Sequence, residues 1–107
     1  MKEKKELKWD ARHKGKKIYI SGPISNDPDF EKKFRAAANE LIRAGYIAVN
    51  PCKDNVPGFS WSFYMRRDIK LLMDCDGIYM LPGWQQSHGA LMEHALACEL
   101  KMEILEK

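Results

Sequence analysis

Cys75-Asp76-Gly77-Ile78-Tyr79-Met80-Leu81-Pro82-Gly83-Trp84-Gln85-Gln86-Ser87-His88-Gly89-Ala90-Leu91-Met92-Glu93 reads as a strand, a tight loop and the start of a helix. Residues 78–81 are a short apolar run, Pro82 and Gly83 stop it, and Ser87 with Gly89 opens a helix whose second turn carries Glu93. The first amides of a helix have no internal acceptor and sit at the positive end of its dipole. Residues 87–89 are therefore a candidate anion site, suited to phosphate. Glu93 lies one turn further in and is expected to face the same cavity. Most helix glutamates are simply solvated. A carboxylate beside an anion cradle, however, suits attack on a sugar carbon of a phosphorylated sugar or nucleotide.

Outward from this segment, strands and helices alternate. Lys17, Ile18, Tyr19, Ile20 and Ser21 form a β-branched and aromatic run that stops at Gly22 and Pro23. Asp27 is a candidate N-cap with Pro28 at the first helical position. Phe30, Phe34, Ala37, Ala38, Leu41 and Ile42 then recur at helical spacing until Gly45 closes the helix. A second strand is expected over 46–50 and a Pro- and Gly-containing loop over 51–59. Ser60 then caps a helix carrying Trp61, Tyr64, Met65, Ile69, Leu71 and Leu72. The Glu93 helix should run to about Leu100, with a last strand over 102–105. This order predicts an α/β fold: a single doubly wound parallel sheet of four to five strands with helices on both faces. Ligands bind such sheets beyond the carboxyl ends of the strands, where the strand order reverses. The loops over 21–26 and 82–89 are expected to meet there.

A length of 107 residues allows one core, and 45% hydrophobic with 31% charged residues is the balance of a soluble globular protein. No run approaches the ~20 apolar residues of a membrane helix. The N-terminus is charged without the apolar core of a secretory signal. The expected location is cytoplasmic, with no membrane partner. Residues 1–17 hold eight basic side chains against three acidic ones, and the rest of the chain ten against twelve. Residues 1–16 thus read as a basic, flexible leader before a domain over 17–107. A solvated leader is favoured over a nucleic-acid-binding arm, because Trp9 is the one aromatic there to stack on bases. Cys52, Cys75 and Cys98 form no CxxC pair and are expected as buried free thiols. His13, His88 and His94 lack metal-site spacing, so neither a metal nor a cofactor is expected.

The remaining chemistry-bearing residues are individually weak signals. Asp68 sits in a helix between Arg67 and Ile69, where a surface ion pair is the ordinary outcome. Asp76 precedes a strand and reads equally as a turn residue. Ser21-Gly22-Pro23-Ile24-Ser25 has neither the Lys-Ser/Thr of an ATP-binding loop nor the spacing of a dinucleotide loop. Its Gly/Ser turn is still able to donate N–H groups to phosphate or sugar oxygens. Tyr19 and Tyr79 are expected in the core, and Trp84 is a candidate platform for a planar base.

In combination, residues 19–24 (Tyr-Ile-Ser-Gly-Pro-Ile), Asp68, residues 76–79 and residues 87–93 resemble the nucleoside 2-deoxyribosyltransferase superfamily over roughly residues 17–105. They look closest to a small bacterial and phage branch related to nucleoside 5′-monophosphate N-glycosidases. The resemblance implies a flavodoxin- or Rossmann-like fold and cleavage or transfer at an N-glycosidic bond. Glu93 is then the nucleophile that forms a glycosyl–enzyme ester. Asp68 is the candidate proton donor to the leaving base, with Asp76 able to exchange roles with it, and Tyr19 orients Glu93. Ser87 and Gly89 match the phosphate loop, while Ser21, Gly22 and Ser25 line the other side. Pro23 departs from the family pattern by removing one N–H donor. The short chain leads us to expect a homo-oligomer that completes the pocket. A non-catalytic nucleotide-binding or sensing module on the same fold is the alternative.

Overall fold

Strands β1 (Lys17–Ser21), β2 (Ile47–Val49), β3 (Gly77–Met80) and β4 (Glu103–Glu106) form one parallel sheet in the order β2-β1-β3-β4. They do so in a computed structural model that describes residues 6–53 and 56–107. Helices α1 (Phe30–Ala44), α2 (Trp61–Met73) and α3 (His88–Glu99) connect them. The fold is the expected α/β one, with four strands. β1 and β3 lie side by side in the middle with Ser21 opposite Met80, so the chain reverses its winding between them and the loops after both strands share one edge.

Strand periodicity sorts the core into two layers. Ile18 and Ile20 of β1, with Tyr79 of β3 and Leu81, pack against Phe34, Ala37, Leu41 and Ala44 of α1. Tyr19 of β1, with Ile78 and Met80 of β3, packs on the other face against Leu72 of α2 and Ala90 and Ala97 of α3. The central strands are apolar on both faces because helices cover both. Ser21 shares the face of Tyr19, two residues on, and is equally buried.

Local signals account for most boundaries. Ser60 caps α2 by accepting from the Phe63 amide at 3.2 Å, and Gly45 ends α1 in the left-handed region at φ 105°. The start of α1 is a correction. The helix begins at Phe30 rather than Pro28, because Asp27 accepts from the Asp29 amide (2.9 Å) and from Lys33 Nζ (2.7 Å) in a turn before the helix. The thiols are also corrected: Cys52 and Cys75 are half-buried and Cys98 is exposed. No helix among the described residues is long and apolar enough to cross a membrane.

In the structure Leu7, Asp10 and His13 of the leader contact the domain; residues 1–5 lie outside the described residues. Leu7 packs against the α1 layer. The Asp10 amide (3.1 Å) and His13 Nδ1 (2.8 Å) both donate to the Ala44 carbonyl, and the His13 ring stacks on Tyr46 at 4.0 Å. The last carbonyls of a helix have no acceptor role inside it, and this segment satisfies one of them.

Candidate active site

Glu93 points inward, 5% exposed, on the stripe of α3 that also holds Ala90 and Ala97. The two alanines leave little bulk between helix and sheet. The carboxylate therefore meets the β1 face carrying Tyr19 and Ser21. Tyr19 donates its hydroxyl to Glu93 Oε2 at 2.5 Å, and Ser21 donates to Oε1 at 2.8 Å. Burial disfavours the ionised form and pushes the Glu93 carboxyl up to about 7; the bonds from Tyr19 and Ser21 oppose that rise, and the charge of Asp68 adds to it. Burial also raises the Tyr19 phenol, with the charges of Glu93 and Asp68 adding to it, so Tyr19 stays a donor.

These groups form one wall of a cavity of about 440 Å³, within the range of small-molecule sites. Asp68 lines it from α2 and is 6% exposed. Burial raises its carboxyl, opposed by Arg67, which lies 3.1 Å away. Gly22, Ser25, Ser87 and Gly89 line the cavity as well. Gly22 permits the close approach of the loops after β1 and β3: a Cβ there would sit 2.8 Å from Leu81 Cβ. Ser87 caps α3 by accepting from the Ala90 amide at 3.3 Å. The amides of His88 and Gly89 are first-turn donors with no helical carbonyl to meet.

Two expected site residues lie elsewhere. Asp76 precedes β3, at the amino edge of the sheet, where its Oδ2 accepts from the Lys17 amide at 2.8 Å. It therefore cannot exchange roles with Asp68. Trp84 packs with the α3 layer, stacks on His94 at 4.2 Å and donates Nε1 to Glu106 at 3.1 Å. Aromatic groups that do line the cavity include Phe59, Trp61 and Tyr64, with Trp61 stacked on His88 at 4.6 Å. Arg67 is a further lining residue that the sequence reading passed over. A signal for the α2 face existed: Trp61, Met65, Asp68 and Leu72 follow helical spacing, so a carboxylate stands on an otherwise apolar stripe. Arg67 lies off that stripe and gave none.

The chain matches the family model described as domain of unknown function DUF4406 over residues 16–106. It belongs to that family. A comparison with curated proteins gave no match. Among the described residues of this DUF4406 domain, no three His, Cys, Asp or Glu side chains are grouped as a metal site would need. The titratable groups lining the cavity among the described residues are Tyr19, Cys52, Tyr64, Arg67, Asp68 and Glu93. Burial pushes the Cys52 thiol up to about 12, which leaves it protonated and a poor nucleophile.

Proposed function

We propose that this DUF4406 domain cleaves the N-glycosidic bond of a nucleoside 5′-monophosphate, with Glu93 as nucleophile. One observation carries the reading: a buried carboxylate takes a hydroxyl donor on each oxygen while lining a cavity that holds a second carboxylate. The resemblance to nucleoside 2-deoxyribosyltransferases supports the same assignment.

In the reaction one Glu93 oxygen attacks C1′ as the C1′–N bond breaks, and the base leaves with a proton. Water, giving its proton back to Asp68, then attacks C1′ of the ester, releasing the sugar phosphate and restoring both carboxyl groups to their starting states. A second base in place of water makes the reaction a transfer. Tyr19 and Ser21 favour the ionised form of the nucleophile against its burial and aim it. Asp68, raised by burial, supplies the proton to the base. The start of α3 at Ser87 and Gly89 receives the phosphate. Trp61, Phe59 and Tyr64 offer the base an apolar surface in place of Trp84.

The test is chromatographic detection of free base from a panel of ribo- and deoxyribonucleotides and the matching nucleosides. Wild type should release base, fastest from monophosphates, and Glu93→Gln should lose more than about 10³-fold of that rate. No base from any member of the panel defeats the catalytic reading. Nucleotide-dependent thermal shifts without turnover, unchanged in Glu93→Gln, support the binding-module reading instead. The Arg67 contact, which favours an ionised Asp68, is the observation on that side.

A further inference from the structure

We propose that Arg67 is a positioning residue of this site: it ties Pro51, in the loop before α2, to Asp68, holding one carboxylate oxygen and leaving the other for substrate. Only the catalytic consequence rests on the function proposed above. Arg67 donates Nε (3.2 Å) and Nη2 (3.1 Å) to the same oxygen, Asp68 Oδ1, and donates Nη2 to the Pro51 carbonyl at 3.1 Å. Adjacent residues on a helix do not face each other. The guanidinium reaches back to Asp68 in the same pose that meets the loop carbonyl. Every buried side-chain polar atom among the described residues has a hydrogen-bond partner. Among the described residues the hydrogen bonds to the Asp68 carboxylate all fall on Oδ1, and Asp68 lines the cavity.

The loop is tied to the same helix a second time. Tyr64 donates its hydroxyl to the Val56 carbonyl and accepts from the Phe59 amide at 3.3 Å, and the Arg67 guanidinium lies 5.4 Å from the centre of the Tyr64 ring. The loop residues so held, Pro51, Cys52, Pro57, Gly58 and Phe59, all line the cavity. Arg67 is the one Lys or Arg among the described residues that does so. The groups that feel the charge of Asp68 are Arg67 beside it on α2, Glu93 on α3, Tyr19 on β1 and Cys52 on the loop. Arg67 is the one cation among them, and it opposes the rise that burial gives the Asp68 carboxyl.

The experiment compares the full chain with Arg67→Ala, Arg67→Lys and, as a control, Arg66→Ala. Asp68 is followed by carboxyl carbon NMR titration, and the 51–59 loop by amide hydrogen exchange. Arg67→Ala should raise the Asp68 midpoint and speed loop exchange by about tenfold or more. Arg67→Lys keeps the charge but lacks the fork, so it should restore the midpoint and not the slow exchange. Unchanged midpoint and exchange in Arg67→Ala, wild-type exchange in Arg67→Lys, or the same changes in Arg66→Ala would overturn the proposal. Should Arg67→Ala fail to fold, the Lys variant still decides it through the split between the two readouts. If wild type releases base, Arg67→Ala should lower kcat more than it raises KM and shift the pH profile. An unmoved kcat removes the catalytic consequence. Absence of base release defeats the proposed function and leaves the titration and exchange to judge Arg67.

Discussion

Replacing Glu93 by Gln should make the protein's stability less dependent on pH. The folded Glu93 carboxyl is pushed up to about 7 from an ordinary value of 4.5, chiefly by burial. The native state therefore binds more protons than the unfolded chain between these values. The contribution of Glu93 to stability is fully present below about 4.5 and is lost as pH rises through about 7. At about 1.4 kcal/mol per unit, the full loss is roughly 3 kcal/mol, most of it between pH 5 and pH 8. Glutamine has the same shape and no charge, so Glu93→Gln should not show this loss. Its amide can accept from only one of the hydroxyls of Tyr19 and Ser21 and must donate to the other. That mismatch costs about 1 kcal/mol at every pH, so it changes the offset between the curves and not their slopes. The measurement is urea unfolding of both proteins at several pH values, read as the wild-type minus variant difference. A decline of roughly 2–3 kcal/mol in that difference from pH 5 to pH 8 is expected. A difference constant within about 0.5 kcal/mol would refute the claim that an ionised Glu93 is held against its own desolvation.

Tyr19→Phe removes the donor to Glu93 Oε2, so the Glu93 midpoint should rise further and the acid limb of base release should move alkaline. With a charge-assisted bond lost, kcat/KM should fall about 10- to 100-fold, and an unmoved limb in the pH–rate profile would count against the orienting role. Gly22→Ala puts a Cβ 2.8 Å from Leu81 Cβ where the loops after β1 and β3 run together. It should cost about 1–3 kcal/mol in urea unfolding, and wild-type stability would contradict that close approach.

Elements were legible where local chemistry is strong. Ser60, Gly45, the apolar run in Lys17–Ser21 and the stop after β3 mark boundaries within a residue or two, because caps, turns and strand runs depend on neighbours in sequence. The start of α1 was misread because Asp27, Pro28 and Asp29 offer competing turns, and Lys33 tips the choice towards a turn before Phe30. The contacts of the leader are not legible in its charge, because they depend on Ala44 and Tyr46, far along the chain.

The site divides in the same way. Glu93, one turn inside a Ser-capped helix after an apolar strand, is conspicuous in the sequence, and Ser87 and Gly89 follow from the same local pattern. Convergence is a different matter. Tyr19 and Glu93 are 74 residues apart, and their bond exists because β1 and β3 pair in parallel and α3 packs on the face that both Tyr19 and Ser21 share. Asp76 and Trp84 flank the same strand that leads to Glu93, yet one falls at the wrong edge of the sheet and the other turns to Glu106 and His94. Arg67 enters the site because a loop from residue 51 passes within reach of its guanidinium. The amino-acid order thus dictates the repeating α/β units and singles out one carboxylate, since both rest on neighbours in the chain. Which side chains meet that carboxylate follows from strand order and loop path, which arise from contacts between residues the chain holds far apart.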